Sequence, residues 1–228
     1  MTSLYLVRHG QASLGSNNYD ELSTTGREQA TLLGQHFHAL NIRFEQVVSG
    51  TLVRQIDTAQ SILSAYHASN AHAPALRRDP RFNEYDFEPI LKTYAFINGI
   101  AEMPLKDPRQ FYRFLQGALN AWVGGALASP AIPDWRAFSQ ECEAGLAALA
   151  SSVSSDSRAL VVTSGGVIAS LVANALGADP LKFVELNLTI RNAAITRLEK
   201  TERGWSLVTF NALPHLETAA RRHLITMA

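Results

Sequence analysis

Short apolar runs and helical stripes alternate along this chain. Residues 4–7 (Leu-Tyr-Leu-Val) are apolar and meet Arg8, His9 and Gly10, which predicts a buried strand ending in a functional loop. Thr25 followed by Glu28 has the spacing of a capping box, so Thr25 is the expected N-cap of a helix with Ala30, Leu33, Phe37 and Leu40 on one face. Residues 44–48 form the next strand candidate. Ser49, Gly50 and Thr51 then turn into a second helix, striped by Leu52, Ile56, Ala59 and Leu63. A third apolar run, residues 160–163, meets Ser164, Gly165 and Gly166. The helix expected after it carries Val167, Ile168, Leu171 and Ala175 and stops at Gly177 and Pro180. Residues 193–198 and 205–210 read as two strands joined by a turn at Gly204. Strands alternating with helices predict an α/β fold: a three-layer α/β/α sandwich whose mainly parallel sheet is closed by an antiparallel edge.

The middle of the chain has a different texture. Between about residues 87 and 133 prolines stand at 89, 104, 108, 130 and 133, around a helical patch at 111–122. Its aromatics (Phe96, Phe111, Tyr112, Phe114 and Trp122) suit packing. Roughly 45 residues seldom hold a core alone, so this segment is expected to be a helical insertion serving as a lid on a single domain spanning 1–228.

Bulk properties narrow the partners. Twenty basic and twenty acidic residues cancel, so no global field favours nucleic acid or an anionic membrane, and any anion site must be local. The N-terminal residues lack a basic start with a long apolar run, and no stretch reaches the ~20 apolar residues of a membrane span. A cytoplasmic protein is expected. The lone cysteine, Cys142, allows no internal disulfide and falls in an apolar helical pattern as a buried structural thiol. His36 and His38 straddle helix faces and read as solvated; His67, His72 and His223 form no ligand pattern, and no metal or other cofactor is expected.

The candidate chemistry lies where strands end. In a parallel α/β sheet, ligands gather beyond the C-terminal strand ends, where helix N-termini also point. Arg8 and His9 close the first strand, Arg54 opens the helix after the second, and Ser164 and Gly165 follow a later one. Two guanidiniums, an imidazole and helix-terminal N–H groups at one edge suit a phosphate. Singly, each has a plainer reading: a turn cap, a surface arginine, a tight connection. Their joint placement is what points to function.

These segments resemble the histidine phosphatase superfamily, also called the phosphoglycerate mutase-like family. The similar blocks are Leu4-Tyr5-Leu6-Val7-Arg8-His9-Gly10-Gln11-Ala12, Leu22-Ser23-Thr24-Thr25-Gly26-Arg27-Glu28-Gln29-Ala30 and Ser49-Gly50-Thr51-Leu52-Val53-Arg54-Gln55-Ile56-Asp57-Thr58-Ala59. Arg81-Phe82-Asn83-Glu84-Tyr85-Asp86-Phe87 and Asn211-Ala212-Leu213-Pro214-His215-Leu216 complete them. The resemblance implies a phosphomonoesterase in which His9 becomes phosphorylated and Arg8 and Arg54 hold the phosphoryl oxygens. Glu84 would be the general acid and then the base, with Asp86 as the alternative; His215 would be structural. Two positions depart from the family. Its Ser/Thr-His-Gly-Gly segment is Thr163-Ser164-Gly165-Gly166 here, so a serine replaces the second active-site histidine. Its small asparagine after Arg-His-Gly is unmatched at Ser13, Leu14 and Gly15. The expected substrate is a small phosphorylated compound. The alternatives are a mutase returning the phosphoryl to another hydroxyl, and a low-activity pseudo-enzyme that binds a phosphorylated partner.

Overall fold

The computed structural model describes residues 1–13, 20–67, 74–104, 107–127 and 129–227; Leu14, Gly15 and His72 lie outside the described residues. The elements run β1 (Ser3–Arg8), α1 (Thr24–Ala39), β2 (Gln46–Ser49), α2 (Val53–His67), β3 (Leu76–Arg78), α3 (Phe87–Ile97), α4 (Pro108–Val123) and α5 (Trp135–Ser152). Then come β4 (Arg158–Thr163), α6 (Gly165–Ala175), α7 (Lys182–Asn187), β5 (Ile195–Thr201) and β6 (Gly204–Ala212). The sheet order is β3-β2-β4-β1-β5-β6. The first four neighbours pair in parallel, while β5 and β6 close the sheet antiparallel.

Alternation along the strands separates two apolar layers. Tyr5 and Val7 of β1, with Leu160 and Val162 of β4, face α1 and α2 through Leu33, Phe37, Ala59 and Ile62. Leu4, Leu6, Ala159 and Val161 point the other way, into a core shared with Ile90, Leu119, Leu146, Ile168 and Phe183 from the helices between α3 and α7. The middle segment forms α3 and α4. Trp122 of α4 packs edge-on against Trp135 of α5, with ring centroids 5.3 Å apart, and against Tyr85 at 4.7 Å.

Several local expectations shift. The first helix begins one residue before Thr25: Ser23 is the N-cap, its hydroxyl accepting from Gly26 N–H at 3.0 Å while donating to Gln11 Oε1 at 2.8 Å. Three hydroxyl residues stand in a row at 23–25, and the one that also reaches the β1 loop takes the cap. Leu40 terminates α1 and is exposed rather than part of its buried stripe, and Leu52 precedes α2. The second strand is displaced towards residue 49, because its register with β4 pairs Ser49 with Val162. Cys142 is buried in α5, where desolvation pushes its thiol pKa far up. His36 is half-buried, not solvated, its ring 6.1 Å from that of His215. Among the described residues, no helix is long and apolar enough to cross a membrane, and no group of three or more His, Cys, Asp or Glu could hold a metal ion.

Candidate active site

The loop after β1 is held backbone to backbone. A Cβ on Gly10 would fall 2.4 Å from Gly26 O, and one on Gly26 would fall 2.2 Å from Gln11 O, so only glycines let α1 approach this loop. Gly10 N–H donates to Thr58 Oγ1 at 3.0 Å, and Thr58 Oγ1 donates to Arg54 O at 2.7 Å, tying the loop to the first turns of α2. From the other side, Ala193 N–H donates to Arg8 O at 3.0 Å and Asn192 Nδ2 donates to His9 O at 3.2 Å.

Within this frame His9 is buried and both ring nitrogens are engaged. Nδ1 lies 2.7 Å from Gly10 O, a carbonyl that can only accept, so Nδ1 carries the proton. Nε2, the unprotonated nitrogen, accepts from Arg54 Nε at 3.2 Å with its one lone pair. Burial, followed by the charges of Arg8 and Arg54, holds the His9 pKa well below the usual imidazole value; the Gly10 carbonyl opposes this less strongly. His9 is therefore neutral and in one tautomer.

The guanidiniums are braced from outside. Arg8 Nη1 donates to Ile190 O at 2.5 Å. Arg54 Nη1 pairs with Asp20 Oδ1 at 2.7 Å, and Asp20 Oδ2 accepts from Val53 N–H at 2.8 Å, so one carboxylate both caps α2 and faces Arg54. Asp20 escaped the sequence reading, since a lone Asp before a helix looks like a solvated turn residue.

Glu84 approaches from the loop between β3 and α3. Asn83 anchors it, accepting from Thr51 N–H at 2.6 Å and donating to Thr51 Oγ1 at 2.7 Å. Glu84 Oε2 accepts from Gly166 N–H at 3.1 Å, while Oε1 is buried with no hydrogen-bond partner among the described residues. Burial raises the Glu84 pKa above the ordinary carboxylate range, against the Gly166 N–H and the charges of Arg54 and Arg8. Gly166 must be glycine: a Cβ there would sit 2.2 Å from Glu84 Oε1 and 2.4 Å from Tyr85 Cε1. Asp86 lies elsewhere, exposed, capping α3 through Glu88 N–H at 3.2 Å.

Ser164 and Gly165 join the β4 end to this cluster. Thr163 O accepts from His9 N–H at 2.8 Å, and a Cβ on Gly165 would lie 3.8 Å from Arg8 Nε. Ser164 is fully buried, and its Oγ accepts from Gln55 Nε2 at 2.8 Å. Gln55 also escaped the sequence reading: a glutamine in a helix normally signals solvent. His215 is buried away from these groups beside His36, and among the described residues neither of its ring nitrogens has a hydrogen-bond partner.

The β1, β2, β3 and β4 ends thus deliver a neutral imidazole, two guanidiniums and a buried carboxyl to one edge of an α/β sheet, groups whose charge and donors are of the kind that can hold a phosphoryl group. The chain belongs to the histidine phosphatase superfamily (branch 1), which it matches over residues 4–213. It is 27% identical over 206 residues to "Serine/threonine-protein phosphatase Pgam5, mitochondrial" of Drosophila willistoni, a match covering 88% of this chain and 59% of that protein. The chain thus spans well under two thirds of the length of the curated relatives it matches. Among solved structures, phosphoglycerate mutase from Bacillus anthracis superposes with a TM-score of 0.66 at 19% identity, covering 94% of each chain. A mycobacterial glucosyl-3-phosphoglycerate phosphatase superposes with a TM-score of 0.66 at 23% identity, covering 92% of this chain and 99% of its own. These two likenesses speak to the fold alone. Family and phosphatase-named relatives together support a phosphatase-type enzyme in general terms.

Proposed function

We propose that the protein hydrolyses phosphomonoesters through a phosphohistidine on His9. The observation that carries this reading is the His9 ring itself: Nδ1 is committed to Gly10 O, which leaves Nε2 unprotonated, and its lone pair, held by Arg54 Nε–H here, is released for attack when Arg54 turns its N–H groups to the phosphoryl oxygens. Nε2 attacks phosphorus, forming the N–P bond as the ester P–O bond breaks, with the phosphoryl oxygens held by Arg8, Arg54 and donors at Ser164 and Gly165. Glu84, whose pKa burial raises, gives its proton to the departing alkoxide. The resulting carboxylate then takes a proton from water, which attacks the phosphohistidine and restores His9. Asp86, occupied as a helix cap in the open, is set aside for this role. The two guanidiniums supply the positive charge of the site, so the proposal includes no metal or other cofactor.

The substrate we favour is a small phosphorylated compound, selected by the α3–α4 segment, which we take as the lid of a single domain. We include no nucleic acid or membrane partner. The Pgam5 relative favours a second reading, a phosphoseryl or phosphothreonyl protein as substrate. A mutase, which would return the phosphoryl to another hydroxyl instead of water, we rank lower. We retain the cytoplasm as the proposed compartment, to be checked by fractionation; the word mitochondrial belongs to the relatives' names. Rapid acid-free quenching with a radiolabelled aryl phosphate tests the chemistry. Base-stable, acid-labile label that disappears in His9→Ala supports it; turnover retained in His9→Ala refutes it. Binding of phosphate with no turnover at all would leave the pseudo-enzyme alternative. Comparing phosphorylated metabolites with phosphoseryl peptides then separates the substrate readings.

A further inference from the structure

Gln55 stands next to Arg54 in α2 and is fully buried, an unusual place for a primary amide. Its environment fixes which way the amide faces. Nε2 lies 3.0 Å from Phe82 O, which can only accept, so the nitrogen must be there; Oε1 faces Leu52 N–H at 3.4 Å. Thr163 Oγ1 donates to the same Phe82 carbonyl at 2.6 Å. The backbone beside the amide is cleared for it: a Cβ on Gly50 would lie 1.9 Å from Gln55 Oε1.

With its orientation fixed, Gln55 Nε2 can only donate to Ser164 Oγ, at 2.8 Å. The Ser164 hydroxyl is thereby made an acceptor on its Gln55 side, and its own proton must point elsewhere. That hydroxyl does not cap α6, and among the described residues its proton has no acceptor. A fully buried hydroxyl seldom leaves its proton unused. Ser164 sits between Thr163, whose carbonyl takes the His9 N–H, and Gly165, which adjoins Arg8. We propose that Gln55 is a positioning residue: it polarises Ser164 so that the serine hydroxyl is a dedicated donor to a phosphoryl oxygen on His9's side of the site. Ser164 then stands, with Gln55 against it, at the sequence position where the family carries its second histidine. This inference rests on the phosphoryl-transfer reading above and deepens it.

A double-mutant cycle on the full chain tests it, using Gln55→Met, Ser164→Ala and both together. The readouts are kcat/KM on an aryl phosphate and the affinity for vanadate, which adopts the five-coordinate geometry of the transferring phosphoryl. Gln55→Met should lower both about fivefold, equivalent to roughly 1 kcal/mol at ~1.4 kcal/mol per factor of ten. In the Ser164→Ala background the same change should cost less than about twofold, because its effect runs through the hydroxyl. Equal losses in both backgrounds would overturn the proposal. Should Gln55→Met fail to fold, Gln55→Glu is the second variant. Its carboxylate would turn the Ser164 proton inward, so vanadate affinity should fall by more than tenfold; unchanged affinity would overturn the proposal. Wild-type protein that binds vanadate without turnover would remove the phosphatase reading, and the vanadate cycle would still decide the role of Gln55. Wild-type protein that binds no vanadate would overturn both.

Discussion

Replacing Glu84 with glutamine separates proton transfer from everything else the site does. The substituted amide would be nearly isosteric and could still accept from Gly166 N–H, but it has no proton to release to a leaving group. The size of the effect follows from the leaving group. An alkyl phosphate expels a strongly basic alkoxide and needs the acid, whose contribution is about 10²–10⁴ in rate. At ~1.4 kcal/mol per factor of ten, that is roughly 3–5 kcal/mol of barrier. A nitrophenyl phosphate expels a weak base and needs little help, so phosphorylation of His9 should slow by about tenfold or less. Hydrolysis of the phosphohistidine still requires a base. Stopped-flow with nitrophenyl phosphate should therefore show a burst of one product per active site, followed by almost no turnover, with labelled phosphate accumulating on the protein. Equal slowing of the first step for alkyl and aryl esters would refute Glu84 as the acid. Wild-type kcat/KM on alkyl esters should also fall as pH rises through the raised Glu84 pKa, a limb that Glu84→Gln lacks. Stability should move the other way. A carboxyl whose folded pKa is raised favours folding below its ordinary range and opposes it once the pH passes the folded value. Glu84→Gln should therefore be more stable than wild type at pH 7, with the gain shrinking in acid.

Other perturbations address single contacts. Activity on a phosphomonoester should survive a strong chelator, because Arg8 and Arg54 already supply the positive charge; loss on chelation with recovery on adding a divalent ion would contradict the His9 mechanism. Asp20→Asn keeps an acceptor for Val53 N–H but removes a carboxylate, 30% exposed, that competes with phosphate for Arg54. Inorganic phosphate should bind up to about fivefold more tightly by calorimetry, the scale of a partly exposed pair, whereas weaker binding would show that Asp20 orients the guanidinium. His215 has its pKa lowered from 6.5 to about 3 by burial, then by His36 and Arg221. A depressed folded value means the unfolded chain takes the proton first, so this contribution is whole above pH 6.5 and declines as the pH falls towards 3. Urea unfolding between pH 7 and pH 5 should show wild type losing about 2 kcal/mol more than His215→Leu; parallel losses would mean that His215 is already charged in the folded chain.

What could be read from the sequence is what leaves a long or one-sided apolar signature. Residues 4–7 and 160–163 are continuous apolar runs, and the loops they meet therefore fell at strand ends, where Arg8, His9 and Ser164 stand. Arg54 was visible for the same reason, one turn beyond β2. β3 was not: it is three residues, Leu76–Arg78, with two arginines exposed at the sheet edge. The six-residue α7 is too short for a helical stripe. The N-cap moved because the choice among Ser23, Thr24 and Thr25 depends on a tertiary bond to Gln11. Asp20 and Gln55 were missed on chemical grounds. Polar residues next to or within a helix ordinarily signal solvent, and only the packed site shows that one faces Arg54 and the other Ser164.

The topology explains how a chain with no net charge can gather so much of it in one place. Because β4 lies between β2 and β1, the C-terminal ends of three parallel strands are immediate neighbours, and each opens a loop toward the same edge. β1 brings Arg8 and His9, the helix after β2 brings Arg54, and β4 brings Ser164. Glu84 follows the edge strand β3 and reaches the others through Gly166. The charge balance then depends on the protonation of His9 and Glu84 and on what faces Arg54. With Glu84 as the protonated acid of the proposed first step and His9 neutral, a phosphate dianion is balanced by the two guanidiniums once it takes the place of the Asp20 carboxylate on Arg54. Protonating His9 would add a surplus charge and remove the nucleophilic lone pair, and burial together with the two arginines prevents it. By the same count, a second imidazolium is not required to neutralise the dianion. A hydroxyl correctly pointed can complete the ring of donors, and this is why a serine at 164, buried against a fixed amide, is compatible with phosphoryl transfer rather than a sign of its loss.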